Sequence, residues 1–259
     1  MGDDDVEYEL EAFSVGGHSF EVTTIAFLPI ETLMANQSRD VEISGQKLWC
    51  GSLAVAEYLL GTTTTAGACS WVSEATVVEL GAGTGVLGML CKRLGARNVV
   101  LTDNDVRSLQ HMKADCERNN VEAQVEALDW FTVSDSVPPL PQLSNPSRLR
   151  IVAGDVLYKK VLLAPFMRTV RGLLRSTSAA PSAAPSAAAA AGGDAQMVLC
   201  HVPRAGVEQA DVVSCAGEHG LQVEVQPREL WCRGAVTEYC PTEDTDRAVV
   251  YLISLLPTE

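Results

Sequence analysis

The run Val77-Val78-Glu79-Leu80-Gly81-Ala82-Gly83-Thr84-Gly85 decides how this 259-residue chain is read. A short apolar stretch breaks into three alternating glycines. Eighteen residues past the last of them a second apolar run, Val99-Val100-Leu101-Thr102, stops at Asp103. Alternating glycines let backbone approach a ligand with no Cβ in the way, and they accept positive φ in a tight turn. A carboxylate about 20 residues beyond such a loop falls at the end of the next parallel strand, where it can hold a ribose hydroxyl. The pair reads as a nucleoside-cofactor site.

The surrounding sequence alternates in the same way. Trp49 to Leu60 reads as a helix with Leu53, Ala56 and Leu60 on one side, Gly61 as its stop, and a Thr/Gly/Ala-rich loop after it. Strands are expected over 76–80, 98–102, 123–128 and 149–153, with helices over 84–94, 105–119 and 162–175 between them. Lys92 and Arg93 occupy the last turn before Gly95, as the helix dipole prefers. A Pro-rich loop spans 137–141. Further on come a strand at 196–202, a helix around 205–218, and late strands at Val223–Val225 and Ala248–Leu256. This order predicts an α/β fold with a mostly parallel sheet covered on both faces. Residues 1–45, with β-like runs at Ser19–Val22 and Thr24–Leu28, are expected to form a small N-terminal β extension. That leaves 46–259 as one domain. Its stretch 176–195, carrying two Ala-Ala-Pro-Ser repeats, reads as a low-complexity surface insertion.

Composition narrows the function. A net charge of −14 argues against nucleic acid, whose phosphates need clustered Lys and Arg, and makes a basic macromolecular partner easier to attract. The start, Met1-Gly2-Asp3-Asp4-Asp5-Val6, has neither the basic and apolar regions of a secretory signal nor a myristoylation pattern. The longest uncharged run, Ser176 to Gly193, is too weakly apolar to span a bilayer. No membrane association is expected, and the location is expected to be cytoplasmic or nuclear. The eight cysteines are scattered and read as reduced thiols rather than a disulfide framework. No CxxC or HxxxH pair occurs, so no metal site is expected, and His18, His111, His201 and His219 show no supporting pattern.

Two cofactors compete for the glycine loop. A dinucleotide GxGxxG set directly after the strand at Gly81 fails, because position 86 is Val; set at Gly83, it begins two residues late. The sequence instead reads Glu-x-Gly-x-Gly-x-Gly from Glu79 to Gly85, with the acid on the strand itself. This resembles the first motif of class I methyltransferases, which bind S-adenosylmethionine. Gly154-Asp155-Val156-Leu157-Tyr158 ends the fourth strand and is similar to the Asp-x-x-Tyr motif of the lysine methyltransferase family called methyltransferase 16. Leu48-Trp49-Cys50 opens a helix before the glycine loop, as that family's Trp does.

The resemblance covers residues 45–175 firmly and the C-terminal third loosely. It implies a Rossmann-like seven-stranded sheet, a monomer, and S-adenosylmethionine held by Trp49, Glu79, Gly81, Ala82, Gly83, Gly85, Asp103, Asn104, Asp129 and Trp130. Asp103 would bind the ribose hydroxyls, with Asp105 able to share or replace it. Asp129-Trp130 would face the adenine. Asp155 and Tyr158 become the candidate catalytic pair, and a protein presenting a lysine becomes the partner.

Methyl transfer is an in-line displacement, so positioning supplies much of the catalysis. It also needs an uncharged nucleophile. Free lysine has a pKa near 10.4, so at pH 7 only about one amine in 2,500 is neutral, a deficit of roughly 4.6 kcal/mol. A carboxylate such as Asp155 raises a neighbouring amine's pKa, so its expected part is to capture and align the amine rather than to neutralise it. A methyltransferase for another protein residue or a small molecule fits the same loop, and so does a non-catalytic module that keeps the fold. The N-terminal region and the loop after residue 203 are expected to shape substrate choice.

Overall fold

The computed structural model describes residues 6–27, 44–62, 69–134, 148–176 and 195–257, with positions 140, 143 and 146. The Pro-rich loop, Leu140 apart, and the low-complexity insertion between Ser176 and Ala195 lie outside the described residues.

Strands β1 (Glu7–Val15) and β2 (His18–Phe27) form an antiparallel pair. Helix α1 (Cys50–Gly61) then leads into β3 (Thr76–Leu80), α2 (Val86–Arg93), β4 (Asn98–Asp103), α3 (Val106–Arg118) and β5 (Gln124–Ala127). The second half runs β6 (Leu149–Gly154), α4 (Leu163–Ser176), β7 (Ala195–His201), α5 (Gln209–Glu218) and β8 (Leu221–Val225). It closes with two short helices, α6 (Ala235–Tyr239) and α7 (Thr242–Arg247), and β9 (Val249–Leu255). Seven strands make one sheet in the order β5-β4-β3-β6-β7-β9-β8. The first five run parallel, and β9 is antiparallel to both its neighbours. The mostly parallel seven-stranded sheet expected from the sequence is present.

The continuous apolar runs of the central strands follow from burial on both faces. Val77, Val99, Leu101 and Val152 pack with Leu53 and Leu59 of α1, Leu87 of α2 and Met112 of α3. Their neighbours Val78, Val100, Ile151 and Ala153 turn the other way, against Phe166 and Val170 of α4 and Val212 of α5. The chain moves outward from β3 through β4 to β5, then returns to the other flank of β3 with β6. Strand order therefore reverses at β3/β6, and a crevice opens beyond the carboxyl ends of the strands at that point. Ser176 and Ala195 flank the insertion at the opposite, amino-terminal edge, because a crossover helix runs back against its strand.

The N-terminal hairpin belongs to the α1–α3 layer. Phe13, Val15, Phe20 and Val22 are buried in that core cluster. A polar latch at the end of α3 fixes the hairpin's register. The Thr23 amide and hydroxyl donate to Oδ2 and Oδ1 of buried Asp115 at 2.8 and 2.9 Å. The Glu21 amide donates to Asn119 Oδ1 at 3.0 Å, and Asn119 Nδ2 returns a bond to the Glu21 carbonyl at 2.7 Å. Arg118 pairs with Asp115 from the solvent side.

Among the described residues no helix is long and apolar enough to cross a membrane. Within the same residues no group of three or more His, Cys, Asp or Glu side chains is placed to hold a metal ion.

Asp115→Ala should lower stability by about 3 kcal/mol, since it strands buried donors and uncouples an ion pair. Urea denaturation measures the loss, and hydrogen exchange should show the Thr23 amide losing protection first. A change under about 1 kcal/mol would mean that the latch does not hold the hairpin.

Candidate active site

A cavity of about 910 Å³ lies beyond the carboxyl ends of β3, β4 and β6. The glycine loop forms its floor. The Ala82 amide donates to the Thr102 carbonyl at 2.8 Å, pinning the loop to β4. The Gly83 amide donates to Asp103 Oδ2 at 2.9 Å. Gly83 has φ of +56°, and a Cβ there would stand 2.5 Å from the Gly45 carbonyl oxygen, so no larger residue fits the turn.

Asp103 is oriented before any ligand arrives. Its Oδ1 also accepts the amides of Asn104 and Asp105 at 2.8 and 3.0 Å. Burial pushes its carboxyl above the usual range, and these backbone donors pull it back. Asp105, the alternative ribose ligand, also lines the cavity but has one oxygen engaged in the wall. Its Oδ2 caps α3 by accepting the amide and hydroxyl of Ser108 at 2.9 and 2.8 Å, and it takes Gln46 Nε2 at 2.9 Å. Gln46 Oε1 in turn accepts the Tyr8 hydroxyl at 2.6 Å. The N-terminal hairpin thus props the wall made by Gly45 and Lys47.

Beyond β5, Asp129 starts a short helical turn, Trp130–Thr132, by accepting the Phe131 amide at 2.9 Å. The Trp130 ring packs edge-on against Phe166 with centroids 4.9 Å apart and faces Gly81 on the cavity side.

The other end of the cavity is built around Asp155. Here α1 lies directly on the end of β6: a Cβ on Gly51 would fall 2.5 Å from the Asp155 nitrogen, and one on Gly154 would fall 2.4 Å from the Ser52 nitrogen. Asp155 itself adopts φ of +61°, a left-handed conformation rare outside glycine, and its amide donates to the Cys200 carbonyl at 2.9 Å. Strain of this kind persists only where the surroundings over-determine it. Asp155 is 7% exposed as a whole residue and its side chain 1%. Its Oδ2 accepts Arg204 Nη2 at 2.6 Å, the Val202 amide also leans on the carboxylate, and Oδ1 is buried with no well-formed hydrogen bond among the described residues. Burial raises the Asp155 carboxyl to about 6 against the pull of Arg204. The Arg204 guanidinium also lies 5.0 Å from the Trp49 ring centre and 3.7 Å from Asp244 Oδ2. Tyr158 lines the same wall, with Lys159 Nζ 5.3 Å from its ring centre.

Of the residues singled out from the sequence, Trp49, Gly81, Ala82, Gly83, Asp103, Asn104, Asp129, Trp130, Asp155 and Tyr158 all line this cavity. Glu79 and Gly85 do not. The Glu79 carboxyl is 2% exposed and turns under the loop to accept the Gly88 amide at 2.7 Å; burial pushes it up to about 8. Gly85 sits at the N-cap of α2 with φ of +72°. Both shape the loop from behind. Sequence reasoning missed Arg204, whose signal was slight: a lone cation just past the end of β7, on the edge that carries Asp155. Lys47, Ser52, Phe131 and Lys159 line the cavity as well and carry no motif.

These features fit S-adenosylmethionine. A buried, backbone-held carboxylate suits ribose hydroxyls, the glycine turn admits close backbone contact, and the cavity is in the size range of nucleoside-cofactor sites. Known proteins share stretches of this sequence and its fold. The chain is 40% identical over 83 residues to a ribosomal protein L11 methyltransferase of Thermosipho melanesiensis, covering 32% of this chain and 30% of that one. It is 39% identical over 59 residues to the namesake of Thermosipho africanus, covering 23% of each. The chain thus spans less than a third of the length of these relatives. The 16S rRNA N2 G1207 methyltransferase of T. thermophilus, solved with AdoMet and guanosine, shares the fold at a TM-score of 0.52 and 17% identity, over 96% of this chain and 51% of that one. A family model described as lysine methyltransferase matches residues 29–183, more than half of the chain, and the chain belongs to that methyltransferase 16 family.

Proposed function

We propose that this enzyme methylates a lysine side chain of a protein substrate, holding the adenosyl part of its cofactor over β3–β5 and the lysine at Asp155 and Tyr158 beyond β6. The observation that carries this reading is the row of acids along one sheet edge. Asp129 follows β5, Asp103 ends β4 and Asp155 follows β6, so three strand gaps, roughly 14 Å, separate the first from the last. That row has the reach of a nucleoside with an amino-acid tail, and its last member stands where a methyl acceptor must enter. The family description supports a lysine, and the printed name of the bacterial relatives supports a protein substrate. The net charge of −14 suits a basic partner.

When bound, S-adenosylmethionine supplies an electrophilic methyl group on a sulfonium centre. The chain supplies position and polarity. Asp103 receives the ribose hydroxyls, and Asp129 with Trp130 receives the adenine. The apolar mouth made by Trp49, Val156 and Trp130 strips water from the entering amine, which disfavours its charged form. Asp155 aligns the amine by hydrogen bonding, and Tyr158 flanks it.

Purified protein with radiolabelled cofactor should place label in methyllysine of a cell-lysate protein fraction, identified by amino-acid analysis. Label confined to another residue or to small molecules would refute the lysine reading. Asp103→Ala should weaken cofactor binding about 10- to 100-fold by calorimetry, the loss of one or two hydrogen bonds to a charged group. Asp155→Asn keeps shape and tolerates the left-handed backbone. It should cut label transfer at least about 100-fold while leaving cofactor affinity within about threefold.

The pH dependence of stability has a definite sign. The folded Asp155 carboxyl titrates near 6, above its ordinary value of 3.8, so the folded state binds the proton more tightly than the unfolded chain. Compared with Asp155→Asn, stability should be highest below the ordinary carboxylate range. It should then fall by up to about 3 kcal/mol as pH rises through about 6. Denaturation at pH 4, 5.5 and 7.5 measures this, and a flat difference would show that Asp155 is not desolvated.

A further inference from the structure

We infer that Arg204 is a positioning residue that keeps the acceptor amine uncharged: by serving as the counter-ion of Asp155 Oδ2, it lets the carboxylate orient an amine through its other oxygen without holding that amine as an ammonium. The inference rests on the lysine methyltransferase reading of the site and names how that site meets its main chemical obstacle.

An Asp155 carboxylate without a cation would find its counter-ion in the substrate. An opposite charge within about 4–6 Å favours the protonated amine, which has no lone pair to give. The guanidinium removes that incentive, and its own positive charge beside the entry path disfavours a second cation. Arg204 is built for this. It lines the cavity, and its side chain is 25% exposed while that of Asp155 is 1% exposed, so the cation is the more accessible member of the pair. The 2.6 Å bond comes from Nη2, which also lies 3.7 Å from Asp244 Oδ2. The guanidinium stands over Trp49. Its backbone is fixed by a tight turn in which Ala205 and Gly206 take positive φ, the Val207 amide donates to the Arg204 carbonyl at 3.0 Å, and buried His201 Nε2 meets the Val207 carbonyl at 3.2 Å. Asp155 Oδ1, buried and without a well-formed hydrogen bond among the described residues, is the acceptor left for the amine once a small side-chain shift uncovers it. The proton lost by the ammonium leaves to solvent at the mouth.

The remaining titratable groups facing Asp155 are Cys50 at the start of α1 and Cys200 on β7, with Cys240 hydrogen-bonded to Cys50. That bond lowers the Cys50 thiol from its ordinary range, so a Cys50→Ala background keeps its titration out of the measurement.

The test compares wild type, Arg204→Gln and Arg204→Lys. Initial rates of label transfer from radiolabelled S-adenosylmethionine into methyllysine of a dilute lysate protein fraction are recorded from pH 6.5 to 9.5. Arg204→Gln should lose about 30-fold near pH 7, with the deficit closing by up to about tenfold per pH unit as the amine deprotonates in bulk. Arg204→Lys, which keeps the charge but loses the planar fork over Trp49, should show a smaller deficit that does not change with pH. Carbon NMR of the Asp155 carboxyl in the protein alone gives a reading independent of turnover: its titration should move to higher pH in Arg204→Gln and return in Arg204→Lys. If Arg204→Gln does not fold, Arg204→Met, which keeps the stem over Trp49, takes its place. Methyllysine formed by wild type with a pH-independent deficit in the neutral variant, or an unmoved Asp155 titration, overturns this inference and leaves the lysine reading standing. Absence of methyllysine from the wild-type reaction overturns both.

Discussion

Gly51 and Gly154 meet backbone to backbone where α1 begins and β6 ends, and much of the Asp155 side of the cavity hangs on that contact. A single Cβ on either residue would overlap main-chain atoms of the other segment. The approach is that close because Asp155 turns left-handed immediately after β6 and carries its amide back to the Cys200 carbonyl. Trp49, one residue before α1, is thereby brought beside Asp155 and over the Arg204 guanidinium. A helix, two strand ends and a turn from three distant parts of the sequence converge on one carboxylate.

The cavity uses the same residue type in two electrostatic settings. Asp103 is satisfied by three backbone amides, an arrangement that orients the carboxylate while leaving oxygen lone pairs for hydroxyl groups. Asp155 has a guanidinium on one oxygen, and the other is buried without a well-formed hydrogen bond among the described residues. One environment suits neutral donors, the other a group that changes its charge. Environments that push like groups apart are a common way of dividing labour among carboxylates in a site.

The alternation of strands and helices was legible because each central strand is a short apolar run ended by Gly or Asp. The cofactor end was legible for the same reason: Gly81 to Gly85 and Asp103 are consecutive in sequence with the elements that hold them. The acceptor end was half legible. Asp155 and Tyr158 follow a strand end, but Arg204 reaches Asp155 across 49 residues, and no periodicity records such a bond. Strand β1, rich in exposed Glu, and the short polar helices α6 and α7 escaped notice, since none carries an apolar stripe. These last two matter, because α7 supplies Asp244 beside the guanidinium. Glu79 was misplaced for a subtler reason. Alternation on β3 puts its side chain in the interior, where it braces α2 through Gly88 instead of reaching the cavity.

The attachment points of the low-complexity stretch have a practical meaning. Ser176 and Ala195 stand at the amino-terminal edge of the sheet, while Asp103, Asp129, Asp155 and Arg204 all stand at or beyond the carboxyl edge. A strand's length therefore separates that connection from the chemistry. A tag, a fluorophore or a protease site inserted after Ser176 or before Ala195 is joined to the fold at the edge opposite the cavity. Such a handle would report on the enzyme while leaving its mouth clear.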